Sequence, residues 1–319
     1  FIDAESTVTA DALINGNGGQ IIVWADGSTK FDGNISSQGG SEGGNGGHVE
    51  VSGLGFLDFQ GQVDTSAVNG QVGSLLLDPI NIEVVAAGGT ATTLGDIDNF
   101  FDADLGPGAI TTINANLLNT ALANITLQAT NDITFNADVN IAAPNVGLTA
   151  TANNNIDVNS NITTNGADVR LTAVGAIEAE NIFTQGLTNS GDIILNASEN
   201  ISTGQLDART VSGNGGNIFA CSELGNISTS YIATFAKNTI GNSGNAGSVT
   251  LTAPFGNITV NDPVGILASS SAGDSGIAPL VAGDGGVVNI FAMDGVIHVQ
   301  KLLLTGLIPK QGVEAIFLL

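Results

Sequence analysis

Short runs of alternating apolar and polar residues recur along the whole chain. The run at residues 19–23 returns at 47–51, an offset of 28 residues, and a shorter copy lies at 73–77. Alternation with a period of two predicts β-strands with one buried face. Gly, Asn, Asp and Ser separate the runs, and these residues accommodate tight corners. The pattern therefore predicts stacked, equivalent structural repeats.

A second series of repeats begins at Asn124, and its spacings are 21, 23, 24, 25, 31 and 39 residues. Two strands in each repeat keep their separation, so the added residues are expected in loops. The leading strands begin near Ile125, Val146, Val169, Ile193, Ile218, Val249 and Val288. The second strands centre on Ile133, Ile156, Ile177, Ile201, Ile227, Ile258 and Ile297. The amphipathic runs that a helical solenoid needs are absent.

Repeats with up to three short strands, each repeat about 20–30 residues long, are typical of a parallel β-helix. Each coil would stack on the next at about 4.8 Å, which predicts about eleven coils and a rod on the order of 50 Å long. We expect one block over residues 1–85 with 28-residue repeats and another over 124–319 with lengthening loops. A β-sandwich is the alternative, but it predicts no stacking register between repeats.

Residues 86–123 interrupt the pattern. This Asp-containing segment is predicted to leave the β-helix and to form a short helix over 113–122, with Leu117, Leu118 and Leu122 on one side. It is a candidate for a specialised surface.

The composition is strongly biased, with 44 Gly among 319 residues and a net charge of −24 from 6 Lys and Arg against 30 Asp and Glu. So few cations exclude binding to a phosphate backbone or to an anionic membrane surface. No apolar run approaches the ~18 residues of a membrane span. Aromatic residues make up only 5%, which suits a narrow interior filled by small side chains.

Three segments, residues 16–27, 39–52 and 75–82, resemble the filamentous-haemagglutinin-type exoproteins of two-partner secretion, especially large cyanobacterial versions and high-molecular-weight adhesins. The resemblance implies a right-handed parallel β-helix that an outer-membrane partner exports. It also implies a secreted, extracellular or cell-surface location on a Gram-negative, cyanobacterium-like cell. The family's Asn-Pro-Asn-Gly secretion motif is not in this sequence. We therefore expect the chain to correspond to the shaft.

The leading functional hypothesis is structural and non-catalytic: a fibre or adhesin shaft segment that stacks end to end or continues into a longer chain. The chain starts at Phe1 rather than Met and stays apolar to its last residue, which favours this interpretation. The residues expected at an end-to-end contact are Ala315, Ile316, Phe317, Leu318 and Leu319.

The alternative hypothesis is an adhesin module that binds a glycan or a receptor. Its site would use residues 86–123 and the long C-terminal loops, where aromatic side chains could stack on a sugar. The candidate contact residues are Phe100, Phe101, Tyr231 and Phe235, with packing as their other interpretation.

Signals for catalysis and for cofactors are weak. The six cations do not share a coil position, and a highly acidic surface repels an acidic polymer, so we predict no enzyme. A hydrolase of neutral glycans needs only two carboxylates and remains a distant third hypothesis.

His48, His298 and Cys221 lack metal-ligand spacing. We predict no cofactor, with calcium as a minor possibility in an acidic loop that contains Asp96, Asp98, Asp102 and Asp104.

Asn-x-Ser/Thr occurs at several predicted corners. The candidate glycosylation positions are Asn34, Asn124, Asn161, Asn196, Asn200, Asn226 and Asn257. Asn at a corner followed by a strand that begins Ile-Thr or Ile-Ser also produces this pattern. Stacked corner Asn side chains would then form a hydrogen-bond ladder, most clearly at Asn200, Asn226 and Asn257, which lie one coil apart.

Overall fold

The structure is a computed structural model that describes residues 1–86, 110–238, 241–272 and 281–304. It is an all-β structure with about 49% of residues in strands and long parallel sheets. Two compact units are present, Phe1–Ser160 and Asn161–Leu319. The predicted all-β class is confirmed. The parallel pairing within each unit argues against the antiparallel sheets of a β-sandwich.

The first unit contains fifteen strands and one short helix in its described residues. The elements are β1 Thr7–Thr9, β2 Gln20–Ala25, β3 Ser28–Phe31, β4 Asn34–Ser36, β5 His48–Gly53, β6 Phe56–Phe59, β7 Gln62–Asp64, β8 Ser74–Asp78, β9 Asn81–Val85, β10 Ile110–Asn114, α1 Ala115–Asn119, β11 Asn124–Ala129, β12 Ile133–Phe135, β13 Val139–Pro144, β14 Leu148–Ala152 and β15 Ile156–Val158.

Strands from successive repeats lie side by side. Sheet I has the order β2-β5-β8-β11-β14, sheet II has β10-β9-β12-β15, and sheet III has β1-β4-β7, while β3 pairs with β6. Ile21 lies opposite Val49, and Phe31 lies opposite Phe59, at the 28-residue offset that the sequence predicts. The Phe31 and Phe59 rings stack with their centroids 5.8 Å apart, and both residues are buried.

Residues 110–123, the last part of segment 86–123, differ from the prediction of a segment outside the β-helix with a helix over 113–122. Ile110–Asn114 is a strand that pairs along its whole length with Asn81–Val85. Thr111 and Ile113 are buried, and the Thr111 hydroxyl oxygen accepts the backbone N–H of Leu57 at 3.1 Å. The helix covers only Ala115–Asn119, because the residues before it are held in the sheet.

The second unit contains sixteen strands in its described residues. They are β16 Ile162–Asn165, β17 Val169–Ala173, β18 Ile177–Ala179, β19 Ile182–Phe183, β20 Ile193–Ala197, β21 Ile201–Asp207, β22 Ile218–Ser222, β23 Ile227–Ala233, β24 Ala236–Asn238, β25 Val249–Thr252, β26 Ile258–Val260, β27 Ile266–Leu267, β28 Ser270–Ala272, β29 Val288–Phe291, β30 Ile297–Val299 and β31 Leu302–Leu303.

Two ladders of parallel strands organise this unit. One has the order β17-β20-β22-β25-β29, and the other has β18-β21-β23-β26-β30. In the first ladder the buried residues Val169, Ile193, Ile218 and Val249 are direct partners from strand to strand. The β-branched side chains of Val and Ile therefore stack on one another inside the unit.

A column of glycines, Gly191, Gly216, Gly247 and Gly286, lets the chain turn tightly before β20, β22, β25 and β29 of the first ladder. A Cβ added at Gly216 would collide with the carbonyl oxygen of Gly191, and one at Gly247 would collide with that of Gly216. Buried hydroxyls hold the same corner, since Thr234 donates to the carbonyl oxygen of Gly247 at 2.7 Å. The abundance of Gly thus reflects close approach between successive backbones.

Candidate functional site

The three Asn residues with the clearest predicted stacking form the expected hydrogen-bond ladder. The backbone N–H of Asn226 donates to Oδ1 of Asn200 at 2.9 Å, and that of Asn257 donates to Oδ1 of Asn226 at 2.8 Å. Val296 continues the ladder by donating its N–H to Oδ1 of Asn257 at 2.8 Å. The side-chain amides at these sequons therefore tie one repeat to the next.

The remaining sequons fall into two groups. Oδ1 of Asn124 accepts the N–H of Gly147, and Oδ1 of Asn161 accepts the Nδ2 amide of Asn181. Asn34 and Asn196 lie within strands, and the structure describes no hydrogen bond from either side chain. Asn34 is exposed and Asn196 is partly exposed. Glycosylation of any of these residues remains a prediction.

Two of the predicted ligand-contact aromatics lie beside an ion pair. Asp207 is buried, and its Oδ2 is 3.1 Å from Nε of Arg209. The Arg209 guanidinium lies 5.6 Å from the ring centroid of Phe235, which is a cation–π contact. Tyr231 is on the neighbouring strand, opposite Gln205. This arrangement uses one face of Phe235 for packing and leaves less of the ring for a ligand.

Burial controls the acidity of this cluster. Burial raises the pKa of Asp207 above its ordinary value, although Arg209 and a hydrogen bond from Gln185 act in the opposite direction. Burial also raises the pKa of Tyr231, and the nearby Asp207 carboxylate adds to that effect. The cluster is therefore a partly buried polar network rather than an open binding platform.

The outer face of sheet I presents a different surface, which we did not predict from the sequence. Alternation along β2 buries Ile21 and exposes its neighbours, so Ile22 is 55% exposed and Trp24 is 54% exposed. We use the name outer face of sheet I for Gln20, Ile22 and Trp24 of β2, His48, Glu50 and Ser52 of β5, and Ser74, Leu76 and Asp78 of β8.

These residues form three rows across the strands. The first row is Gln20, His48 and Ser74, the middle row is Ile22, Glu50 and Leu76, and the last row is Trp24, Ser52 and Asp78. Trp24 lies opposite Ser52, which is buried and lies opposite Asp78. Glu50 occupies the middle row, and its carboxylate accepts a hydrogen bond from the Ser52 hydroxyl at 3.0 Å. Burial, together with the nearby Glu50 carboxylate, raises the pKa of Asp78. The period-two alternation around the chain's single Trp was the signal that could have revealed this surface.

An open groove of about 510 Å³ adjoins the first row. Its polar side chains are those of Asn17, Gln20, His48, Ser74 and Asn124, and glycine backbone forms much of the remainder. Nδ1 of His48 is 2.8 Å from Oγ of Ser74, an ordinary hydrogen bond between partners on adjacent strands. The groove and the exposed Trp24 belong to the same face of the first unit.

Several predicted site residues lie outside the described residues. They are Asp96, Asp98, Phe100, Phe101, Asp102, Asp104, Ala315, Ile316, Phe317, Leu318 and Leu319. Among the residues that are described, no group of three His, Cys, Asp or Glu side chains is arranged to hold a metal ion. The described part of the chain likewise contains no helix long and apolar enough to cross a membrane.

No protein-family model matches the chain, and no curated protein matches it.

Proposed function

We propose that the chain is a structural segment of an extracellular fibre or adhesin shaft, built as a right-handed parallel β-helix of about eleven coils. The observation that carries the proposal is the Asn ladder, in which each repeat donates a backbone N–H to the side chain of the repeat before it. Such bonds add to the parallel strand pairing along the stacking direction. A stack held in this way suits a load-bearing, non-catalytic role.

The described end of the second unit supports assembly through its strand edges. Within the described residues, β29 pairs with β25 on one side and has no partner on the other. Phe291, Val296 and Ile297 of this last repeat are exposed. Apolar residues beside unpaired strand edges favour the addition of further β-structure, either a second copy or continuing chain. The net charge of −24 would keep such assemblies from associating sideways.

The proposal extends to location and partners. A shaft of this kind would be secreted to the cell surface of a Gram-negative bacterium through an outer-membrane partner, as the family resemblance implies. The alternative role, an adhesin module that contacts a glycan or receptor, would need accessible aromatic side chains. The packing of Arg209 on Phe235 gives little support to Phe235 as part of that site.

Negative-stain electron microscopy of the isolated protein at low and physiological salt tests the structural role. We expect rods with a length on the order of 50 Å, or fibres with that repeat, because about eleven coils stack at about 4.8 Å. Higher salt should increase lateral association by screening the acidic surfaces. Compact round particles under both conditions would overturn the proposal.

A further inference from the structure

Trp24 is a half-exposed aromatic side chain on the outer face of sheet I. Large aromatic side chains normally bury most of their surface, and an exposed aromatic beside other exposed apolar residues is a candidate interaction surface. Ile22 lies two residues earlier on the same face and is equally exposed. Together they present an apolar strip on strand β2, with the indole as its widest element.

Polar groups surround this strip in a regular pattern. The carboxylates of Glu50 and Asp78 lie on the two next strands, about 5 and 10 Å from β2 at ordinary strand spacing. Gln20 and His48 occupy the first row, about 13 Å along the strand from Trp24 at about 3.3 Å per residue. The face thus combines an aromatic plane with hydrogen-bond donors and acceptors over the length of a short oligosaccharide.

Sugar rings have an apolar face of C–H groups and a rim of hydroxyls. The negative face of an indole attracts such C–H groups, and carboxylates are strong acceptors for hydroxyl protons. The two carboxylates on the face and the overall charge of −24 disfavour an anionic ligand. A purely apolar ligand, or a cation without hydroxyl groups, would form no hydrogen bonds with the polar side chains of the first row, such as Gln20.

We propose that the outer face of sheet I binds an uncharged oligosaccharide, which stacks on Trp24 and extends along the strands toward the groove beside Gln20 and His48. The groove of about 510 Å³ would receive one end of the chain of sugars. This site is separate from the residues that support the structural role. It neither requires rod assembly nor follows from it.

The chain's single Trp makes the site directly observable, because all Trp emission comes from residue 24. The full chain would be titrated with maltohexaose, cellohexaose and hexa-N-acetylchitohexaose as neutral probes, and with an oligogalacturonate as an acidic probe. We expect a saturable blue shift with at least one neutral probe and no response to the acidic probe. No shift with all three neutral probes would overturn the proposal, as would a response to the acidic probe alone.

Variants separate stacking from nonspecific contact. By calorimetry, Trp24→Ala should weaken binding of the responding probe by at least about tenfold, a change of 1.4 kcal/mol. Glu50→Gln should weaken it by a smaller factor because one charged acceptor is lost. Phe255→Ala removes an equally exposed aromatic from the second unit and should change nothing. Undiminished binding by Trp24→Ala would overturn the proposal.

The folding of each variant is checked by circular dichroism and thermal unfolding. Trp24 is half-exposed, so its removal should leave the unfolding temperature close to that of the unmodified protein. A protein-binding role for the same face would appear as failure of all the sugar probes, which counts against the proposal. Electron microscopy of the same samples reports separately on rod formation, so failure of either proposal is distinguishable from failure of the other.

Discussion

The backbone N–H of Asn257 donates to Oδ1 of Asn226, although the two residues are 31 positions apart in the sequence. The next step of the same ladder spans 39 residues, and the preceding step spans 26. The hydrogen-bond geometry is constant while the length of the repeat grows. The ladder therefore fixes the register of the corner and allows loops of any length to project elsewhere.

Loss of one ladder residue should destabilise the second unit. Asn226→Ala removes the acceptor for the Asn257 N–H and the donor to Asn200, and we expect a loss of about 1–3 kcal/mol in the free energy of unfolding. Chemical denaturation measures this change. Asn196→Ala is the matched control, since no hydrogen bond of that side chain is described, and it should stay within about 0.5 kcal/mol. Equal effects of the two substitutions would contradict a stabilising ladder.

Close approach between glycines should make one position intolerant of any side chain. Gly47→Ala places a Cβ against the carbonyl oxygen of Gly19 and the hydroxyl of Ser37, so we expect severe destabilisation or failure to fold. Gly27→Ala is the control, because nothing lies within 4 Å of a Cβ built there. Thermal unfolding of the two purified variants checks this. A well-folded Gly47→Ala protein would mean that the corner can open.

The strand Ile110–Asn114 should depend on one buried hydroxyl. Thr111→Val keeps the shape of the side chain but leaves the Leu57 N–H without its acceptor, which should cost about 1–3 kcal/mol. Thr149→Val, on a partly exposed strand position of the same unit, should have little effect. Hydrogen exchange at Leu57 gives a local measurement. Unchanged protection of that amide in Thr111→Val would contradict the pairing described here.

The pKa of Asp207 predicts a pH-dependent stability difference. Because burial raises the pKa of this carboxyl, its neutral form favours folding below the ordinary Asp pKa of about 3.9, and that contribution is lost as the pH rises through the folded-state pKa. Asp207→Asn keeps a neutral side chain and an acceptor for the Arg209 N–H. The variant should match the unmodified protein at low pH and become the more stable of the two toward pH 7.

Thermal unfolding of both proteins across this pH range measures the difference. The exposed half of Arg209 can be solvated once its partner is neutral, so loss of the ion pair should not reverse the sign. A variant that is less stable than the unmodified protein at pH 7 would show that the Asp207–Arg209 pair outweighs burial.

Much of the repeat architecture was evident from the sequence. The 28-residue offset predicted the pairing of Ile21 with Val49, and the corner Asn pattern predicted the ladder at Asn200, Asn226 and Asn257. These features are periodic. Because equivalent strands stack on one another, residues one repeat apart in the sequence become direct neighbours in space. The same logic could not place the strand Ile110–Asn114, because its sequence does not resemble that of its partner strand Asn81–Val85.

The sequence by itself determined the short parallel strands, the alternation of buried and exposed residues along them and the glycine-rich corners. Each of these features depends on local residue type and on a repeated period. Only the tertiary structure decided which exposed side chains share a surface. Trp24, Glu50 and Asp78 are distant in the sequence but meet on one face, because parallel pairing brings every second residue of three strands to the same side. Likewise, Arg209 covers Phe235 through the adjacency of neighbouring repeats, which no local pattern reveals.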